Sequence, residues 1–220
     1  MSFFPIMQID KFVESITRER AWRVKELLDI RVTLNPNSPN SAKSKILTRS
    51  AVTLSYAHWE GYIKRSGDIF LKYLNSNKFD ISDIQPHLIS LHFKTEFDQA
   101  KESKKFLTFT KQIQKFFDSK DTYFFNVPSS AFVDTKSNLS SVQMKHIVEC
   151  LGLDFRFFEL KQNFIDSVLI ENRNAVVHGE YRNIEKTEAT AIISAVLEMI
   201  EHFQQQLEHA VYTRSYLISS

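Results

Sequence analysis

The stretch KTEATAIISAVLEMIEHFQQQLEHAVY, residues 186–212, decides the fold class. Its apolar positions are Ala189, Ile193, Val196, Ile200, Phe203, Leu207 and Ala210, separated by alternating steps of four and three. That spacing keeps one face of an α-helix apolar over about six turns, as antiparallel bundle packing requires. The same signature recurs upstream. Val52, Tyr56, Trp59, Ile63 and Phe70 predict a second long helix, from near Ser41 to about Asn75. Gly61 interrupts its stripe, at a cost of about 1 kcal/mol relative to Ala, and allows another helix to come close.

Outward from these two, Phe12, Ile16, Val24, Leu27 and Leu28 predict a first helix over about Asp10–Leu34, with Asp10 as its N-cap. The run Asn35-Pro36-Asn37-Ser38-Pro39-Asn40-Ser41 breaks the chain between the first two helices. Ser141 to Leu151 predicts a short helix ended by Gly152 in the C′ position. Another begins at Asp154 or Phe155 and reaches His178, where Gly179 stops it. Leu160, Phe164, Val168, Ala175 and Val176 are its expected buried side.

The middle, about residues 81–140, is less regular. Ser82 and Pro86 suit the start of a short helix. Glu96–Ser119 reads as a helix with Phe106, Phe109, Ile113 and Phe116 inward. Tyr123–Asn138 reads as an extended loop. A brief strand at Tyr123–Pro128 is disfavoured centrally by Pro128. The expected architecture is a single all-α domain over residues 1–220, an antiparallel bundle with an irregular, partly helical insertion.

Composition sets bounds. Of 220 residues, 43% are hydrophobic and 25% charged, with only 4 Gly and 5 Pro, which suits long helices in a globular chain. The 19 Phe predict an aromatic-rich core. A net charge of +2 neither demands nor opposes a nucleic-acid partner. The single cysteine, Cys150, rules out an internal disulfide, fits a reducing cytoplasm and reads as a small core residue. Met1–Asp10 lacks the pattern of a signal peptide, and no apolar run approaches the ~18 residues of a membrane span, so a soluble cytoplasmic protein is expected. His58, His87, His92, His146, His202 and His209 show no zinc spacing, and neither a metal nor a cofactor is implied. The chain has neither a Gly-rich phosphate loop nor a G-x-S-x-G elbow.

The string with chemical content is Glu171-Asn172-Arg173-Asn174-Ala175-Val176-Val177-His178-Gly179-Glu180. Asn174 and His178 share a helix face, one turn apart. Arg173 and His178 diverge by about 140° on an ideal helix, but the long Arg stem can bend toward a ring at the helix end. Arg173 offers a planar fork that matches a phosphate, and His178 can move a proton near neutral pH. Asn174 can orient the ring or bind a phosphate oxygen. These groups suffice for attack of an RNA 2′-OH on the adjacent phosphate without a metal, giving a 2′,3′-cyclic phosphate.

Three strings together resemble the HEPN family. Arg173-Asn174-Ala175-Val176-Val177-His178-Gly179 resembles the HEPN signature of an Arg, four residues and a His. Tyr56-Ala57-His58-Trp59-Glu60-Gly61-Tyr62-Ile63-Lys64 is similar to the upstream helix of bacterial MAE-type HEPN proteins. Ser137-Asn138-Leu139, leading to Cys150-Leu151-Gly152-Leu153, is similar to the same group. The resemblance covers about Ser41 to Leu207. It implies a helical bundle that dimerises with two motifs facing one cleft, and a metal-independent endoribonuclease of the kind found as toxins or anti-phage effectors. Arg173 and His178 would be catalytic, Asn174 and Glu60 supporting, with RNA as substrate and an antitoxin or other protein as a further partner. Other HEPN domains only bind RNA, nucleotides or proteins, and that alternative stays open here. Glu60 and Lys64 also make an ordinary i,i+4 ion pair. Lys104, Lys105, Lys111 and Lys115, in a lysine-rich run with interleaved Phe, are either a solvated face or a track for an RNA backbone.

Overall fold

Residues 4–34, 41–103, 106–119, 125–127 and 138–218 are described by the computed structural model. Three long helices carry the fold: α1 (Phe4–Leu34), α2 (Ala42–Ser76) and α9 (Lys186–Thr213), each packed on the other two. Between α2 and α9 lie α3 (Pro86–His92), α4 (Lys94–Ser103), α5 (Phe106–Ser119), α6 (Ser141–Cys150), α7 (Arg156–Glu159), a π-helical stretch (Phe164–Ile170) and α8 (Glu171–Val177). The expected all-α bundle is therefore present. The β bridge with both partners described is an isolated antiparallel pair, Ile84 and Leu217.

The long helices follow their apolar stripes. All seven α9 stripe residues are buried, as are Val52, Tyr56, Trp59, Ile63 and Phe70 of α2. Ser41 starts α2 through a capping box with Ser44: each side-chain hydroxyl accepts from the other residue's backbone N–H. Gly61 does permit a close approach. A Cβ there would stand 3.4 Å from Nη2 of Arg23, a buried α1 side chain. His58 is also spent at this seam, with Nε2 3.0 Å from Glu26 Oε2 and its ring against Trp22.

Four expectations need correction. Asp10 is not an N-cap, because α1 begins at Phe4 and Pro5 occupies its first turn, where a missing N–H costs nothing. Ser82 does not cap α3. It lies in a 3-10 turn (Ile81–Asp83), and Gln85 precedes Pro86 at the helix start. Leu160 is 86% exposed, at the C-cap of the four-residue α7. Ala175 is buried and Phe164, Val168 and Val176 pack partly buried against the core, but the π-helical stretch, whose turns take up more residues than an α-turn, puts Ile165, Leu169 and Ile170 at the most buried positions. Finally, α4 and α5 are separate elements. Phe106 is 82% exposed, and Phe109 and Ile113 are exposed too. The α5 stripe exists, but it faces away from the protein; the Phe116 side chain lies outside the described residues. Of the brief strand weighed at 123–128, residues 125–127 are described: the Phe125 N–H donates to Phe79 O at 2.8 Å, Asn75 clamps Val127 through both its backbone groups, and the rest lies outside the described residues.

Two imidazoles, the buried His58 and the half-buried His87, make the fold acid-sensitive. Burial holds His87 below the ordinary value of 6.5. It does the same for His58, helped by Arg23 and opposed by Glu26. Between the lowered folded values and 6.5 the unfolded chain binds more protons, so stability rises with pH through that window. Melting followed by circular dichroism should show a constant melting temperature above pH of about 6.5 and a decline toward pH of about 5. A profile flat to pH 5 would contradict these burials.

Candidate functional site

The site is built where α8 crosses α2. The helical path from α7 to Val177 ends in a Schellman motif. Gly179 takes φ +76°, its N–H donates to Val176 O, and the Glu180 N–H donates to Ala175 O. His178 is consequently the C-cap residue, its backbone N–H donating to Asn174 O at 2.9 Å. Its side chain is exposed, and among the described residues the ring has no hydrogen-bond partner.

Arg173, about 7.5 Å back along the helix axis, is half-buried. Its Nη1 donates to Asn174 Oδ1 at 2.9 Å, and its guanidinium carbon lies 5.2 Å over the Tyr56 ring. Asn138 Nδ2 donates to the same Asn174 Oδ1 at 3.2 Å. Asn174 thus turns its carbonyl oxygen toward Arg173 and Asn138 rather than toward the imidazole. Among the described residues no carboxylate is paired with Arg173. Its fork is held in place while its charge is left for something else.

Tyr56 is the hinge between α2 and this cluster. Its hydroxyl accepts from the Leu139 N–H at 2.7 Å. Burial, and then the neighbouring Glu60 carboxylate, push its phenol well above the usual value, against the pull of the Leu139 N–H and of Arg173. The hydroxyl stays protonated beside the Glu60 carboxylate, which pairs with Lys64. Glu60 forms the expected i,i+4 ion pair with Lys64, one helical turn from Tyr56 on α2.

A second support comes from α6. Ser141 donates from both N–H and Oγ to the two carboxylate oxygens of Asp166, in the π-helical stretch. A carboxylate there also suits the positive end of α6. This clamp fixes Asn138 and Leu139, which immediately precede α6, against the strand of chain leading to Arg173. On the other side, the buried Asn172 reaches Glu188 of α9, and Arg49 Nη2 donates to Glu180 O at 3.2 Å.

The lysine track finds less support. Lys104 and Lys105, and the side chain of Lys115, lie outside the described residues. Lys111 is exposed on α5, which packs chiefly on α4, and no described contact joins it to Arg173. Cys150 is half-buried rather than fully in the core, 3.6 Å from His146 Nε2, and burial raises its thiol, which disfavours a thiolate nucleophile. Tyr56, Asn138 and Arg49 escaped the sequence reading as site residues. Tyr56 belongs to the core stripe of α2, and its i,i+4 relation to Glu60 is its one further signal.

Among the described residues no helix is long and apolar enough to cross a membrane. Curated proteins and solved structures give no match to the chain. Residues 18–209 match the RiboL-PSP-HEPN family, and that span includes most of α1 as well as the Arg173–His178 string. The chain belongs to the RiboL-PSP-HEPN family, and HEPN domains are typically ribonucleases.

Proposed function

We propose that this chain is a metal-independent endoribonuclease that acts as a homodimer, with Arg173 and His178 as its catalytic residues and Asn174 and Glu60 as positioning residues. One observation carries the reading. Arg173 is oriented by Asn174 Oδ1 and the Tyr56 ring, carries no described carboxylate partner, and shares a short helix with the exposed His178.

In the reaction, the 2′-oxygen forms a bond to phosphorus as the bond from phosphorus to the 5′-oxygen breaks. A neutral His178 takes the 2′-OH proton. The leaving 5′-oxygen takes a proton from the imidazolium of the second copy's His178. Arg173 neutralises charge that builds on the non-bridging oxygens, where a preorganised donor acts most strongly. The products are a 2′,3′-cyclic phosphate and a 5′-OH. Nothing in this sequence of steps requires a metal. The MAE-type string Tyr56–Lys64 supports placing the chain near that HEPN subgroup, and a toxin or anti-phage role with an antitoxin partner suits such an enzyme.

The test is direct. Purified chain incubated with RNA in excess EDTA should cut it, leaving 3′ ends that resist ligation until the cyclic phosphate is removed to a free 3′-OH. Saturable RNA binding without product, or cleavage abolished by EDTA, would remove this reading.

A further inference from the structure

Beside the Schellman turn, the first turns of α2 and the segment after Glu180 enclose a small cavity of about 70 Å³. Lys45, Arg49 and Arg182 line it, and Ile46 and Thr48 of α2 and residues 181, 183 and 184 form the rest of the wall. Its volume is on the order of two waters, enough for a phosphate group.

Three observations make this cavity more than a crevice. First, three cations line this one cavity, and among the described residues no carboxylate pairs with Lys45, Arg49 or Arg182. The nearest acidic residues in sequence do not quench them: Glu180 gives Arg49 its backbone oxygen, and Glu185 accepts from Asn183. Second, Arg49 Nη2 donates to Glu180 O, which fixes this guanidinium at the cavity wall. Third, the first turn of α2 holds no acidic residue, so the positive end of this 35-residue helix adds to the cations rather than offsetting them.

The cavity also lies next to the candidate catalytic site. Arg182 follows His178 by four residues, so their Cα atoms are within about 14 Å. The Arg49–Glu180 hydrogen bond ties the cavity wall to the turn that presents His178.

We propose that Lys45, Arg49 and Arg182 form a subsite for a backbone phosphate of the RNA strand, flanking the scissile phosphate held at Arg173 and His178. The subsite positions the strand without reading its sequence, because a phosphate carries none. The proposal rests on the ribonuclease reading for its substrate, but its test does not depend on cleavage.

The test uses the full chain carrying His178→Ala, titrated with a fluorescent single-stranded RNA by anisotropy at several salt concentrations. Lys45→Ala/Arg182→Ala is the informative variant. Both side chains are exposed and without described partners, so helicity and melting temperature should be unchanged. Arg49 is spared because it holds Glu180. The double variant should bind about tenfold more weakly at low salt, and its plot of log affinity against log salt should be shallower by about 0.7 for one lost phosphate contact. Lys45→Arg should bind as the parent does. Unchanged affinity and slope in a folded double variant would overturn the subsite. Displacement of the RNA by 5′-AMP at matched phosphate concentration would also overturn it, by assigning the cavity to a mononucleotide. The two readings fail separately. A shallower slope in a chain whose intact His178 form cuts no RNA removes the nuclease and keeps the subsite. Cleavage with an unchanged slope does the reverse.

Discussion

His178→Ala should lower RNA cleavage by about 10²–10⁴-fold, the range supplied by a positioned proton-transfer group, and leave the fold as it is. The second half of that expectation comes from the structure. The ring is exposed and has no described partner, and the Schellman turn that holds residue 178 uses only backbone groups and Gly179. Arg173→Ala should cost about 10²–10³-fold, as loss of one preorganised charge donor does. Here a modest loss of stability is also expected, since the guanidinium covers the Tyr56 ring. Arg173→Lys separates charge from geometry. It keeps the positive charge but cannot bridge Asn174 and a phosphate with one planar fork, so activity should stay well below the parent. Asn174→Ala should fall between, because it frees the fork without removing it. If His178 and Arg173 serve one step, the double alanine variant will be little worse than the poorer single variant. Parent-like rates in both single variants would leave the motif without a catalytic role.

How much of this was legible in the residues alone follows from what a periodic pattern encodes. The stripes of α2 and α9 report which residues share a helix face, and both faces had partners within the chain, so their burial matched. The α5 stripe obeys the same rule with the opposite outcome. Phe106, Phe109 and Ile113 share a face, but nothing in spacing says whether a partner exists, and here the face is open. The π-helical stretch defeats the method in part. Counting by fours from Leu160 assumes an α-register that Phe164–Ile170 does not keep, so the most buried positions are Ile165, Leu169 and Ile170.

The site was legible in a similarly uneven way. Arg173, Asn174 and His178 are adjacent in sequence, and a motif can announce them. Their supports are not. Tyr56 precedes Arg173 by more than a hundred residues, Asn138 by thirty-five, and Arg49 meets Glu180 from the far end of α2. Only packing of α8 on α2, and of α6 on the π-helical stretch, brings these groups together. The functional consequence is that Arg173 geometry depends on elements remote from the motif, so mutations in α6 or α2 should register at the site.

Gly152→Ala is expected to be the most damaging single methyl group in the described chain. Gly152 sits at the C′ position of α6 with φ +69°, donating to Glu149 O while Leu153 donates to Val148 O. A side chain in that left-handed conformation costs about 1–2 kcal/mol. In addition, the new Cβ would stand 2.3 Å from His87 Nε2 and 2.6 Å from its Cε1. His87 is half-buried on α3, so moving its ring means repacking, at about 1–3 kcal/mol. The expected total is about 2–5 kcal/mol, or a melting temperature lowered by roughly 4–20 °C for a chain of this size. Gly179→Ala is the matched control. Its φ is +76°, but a Cβ there meets no atom within 4 Å, so only the conformational cost of about 1–2 kcal/mol applies. Adding His87→Ala to Gly152→Ala should give back the steric share and leave the conformational one, once the cost of His87→Ala alone is subtracted. Equal melting temperatures for the two glycine variants would mean that the His87 ring swings aside freely, and that α3 does not brace the end of α6. Were the brace real, Gly152→Ala should also loosen Asn138 and Leu139 at the other end of α6, and so weaken RNA cleavage in a protein that is still folded.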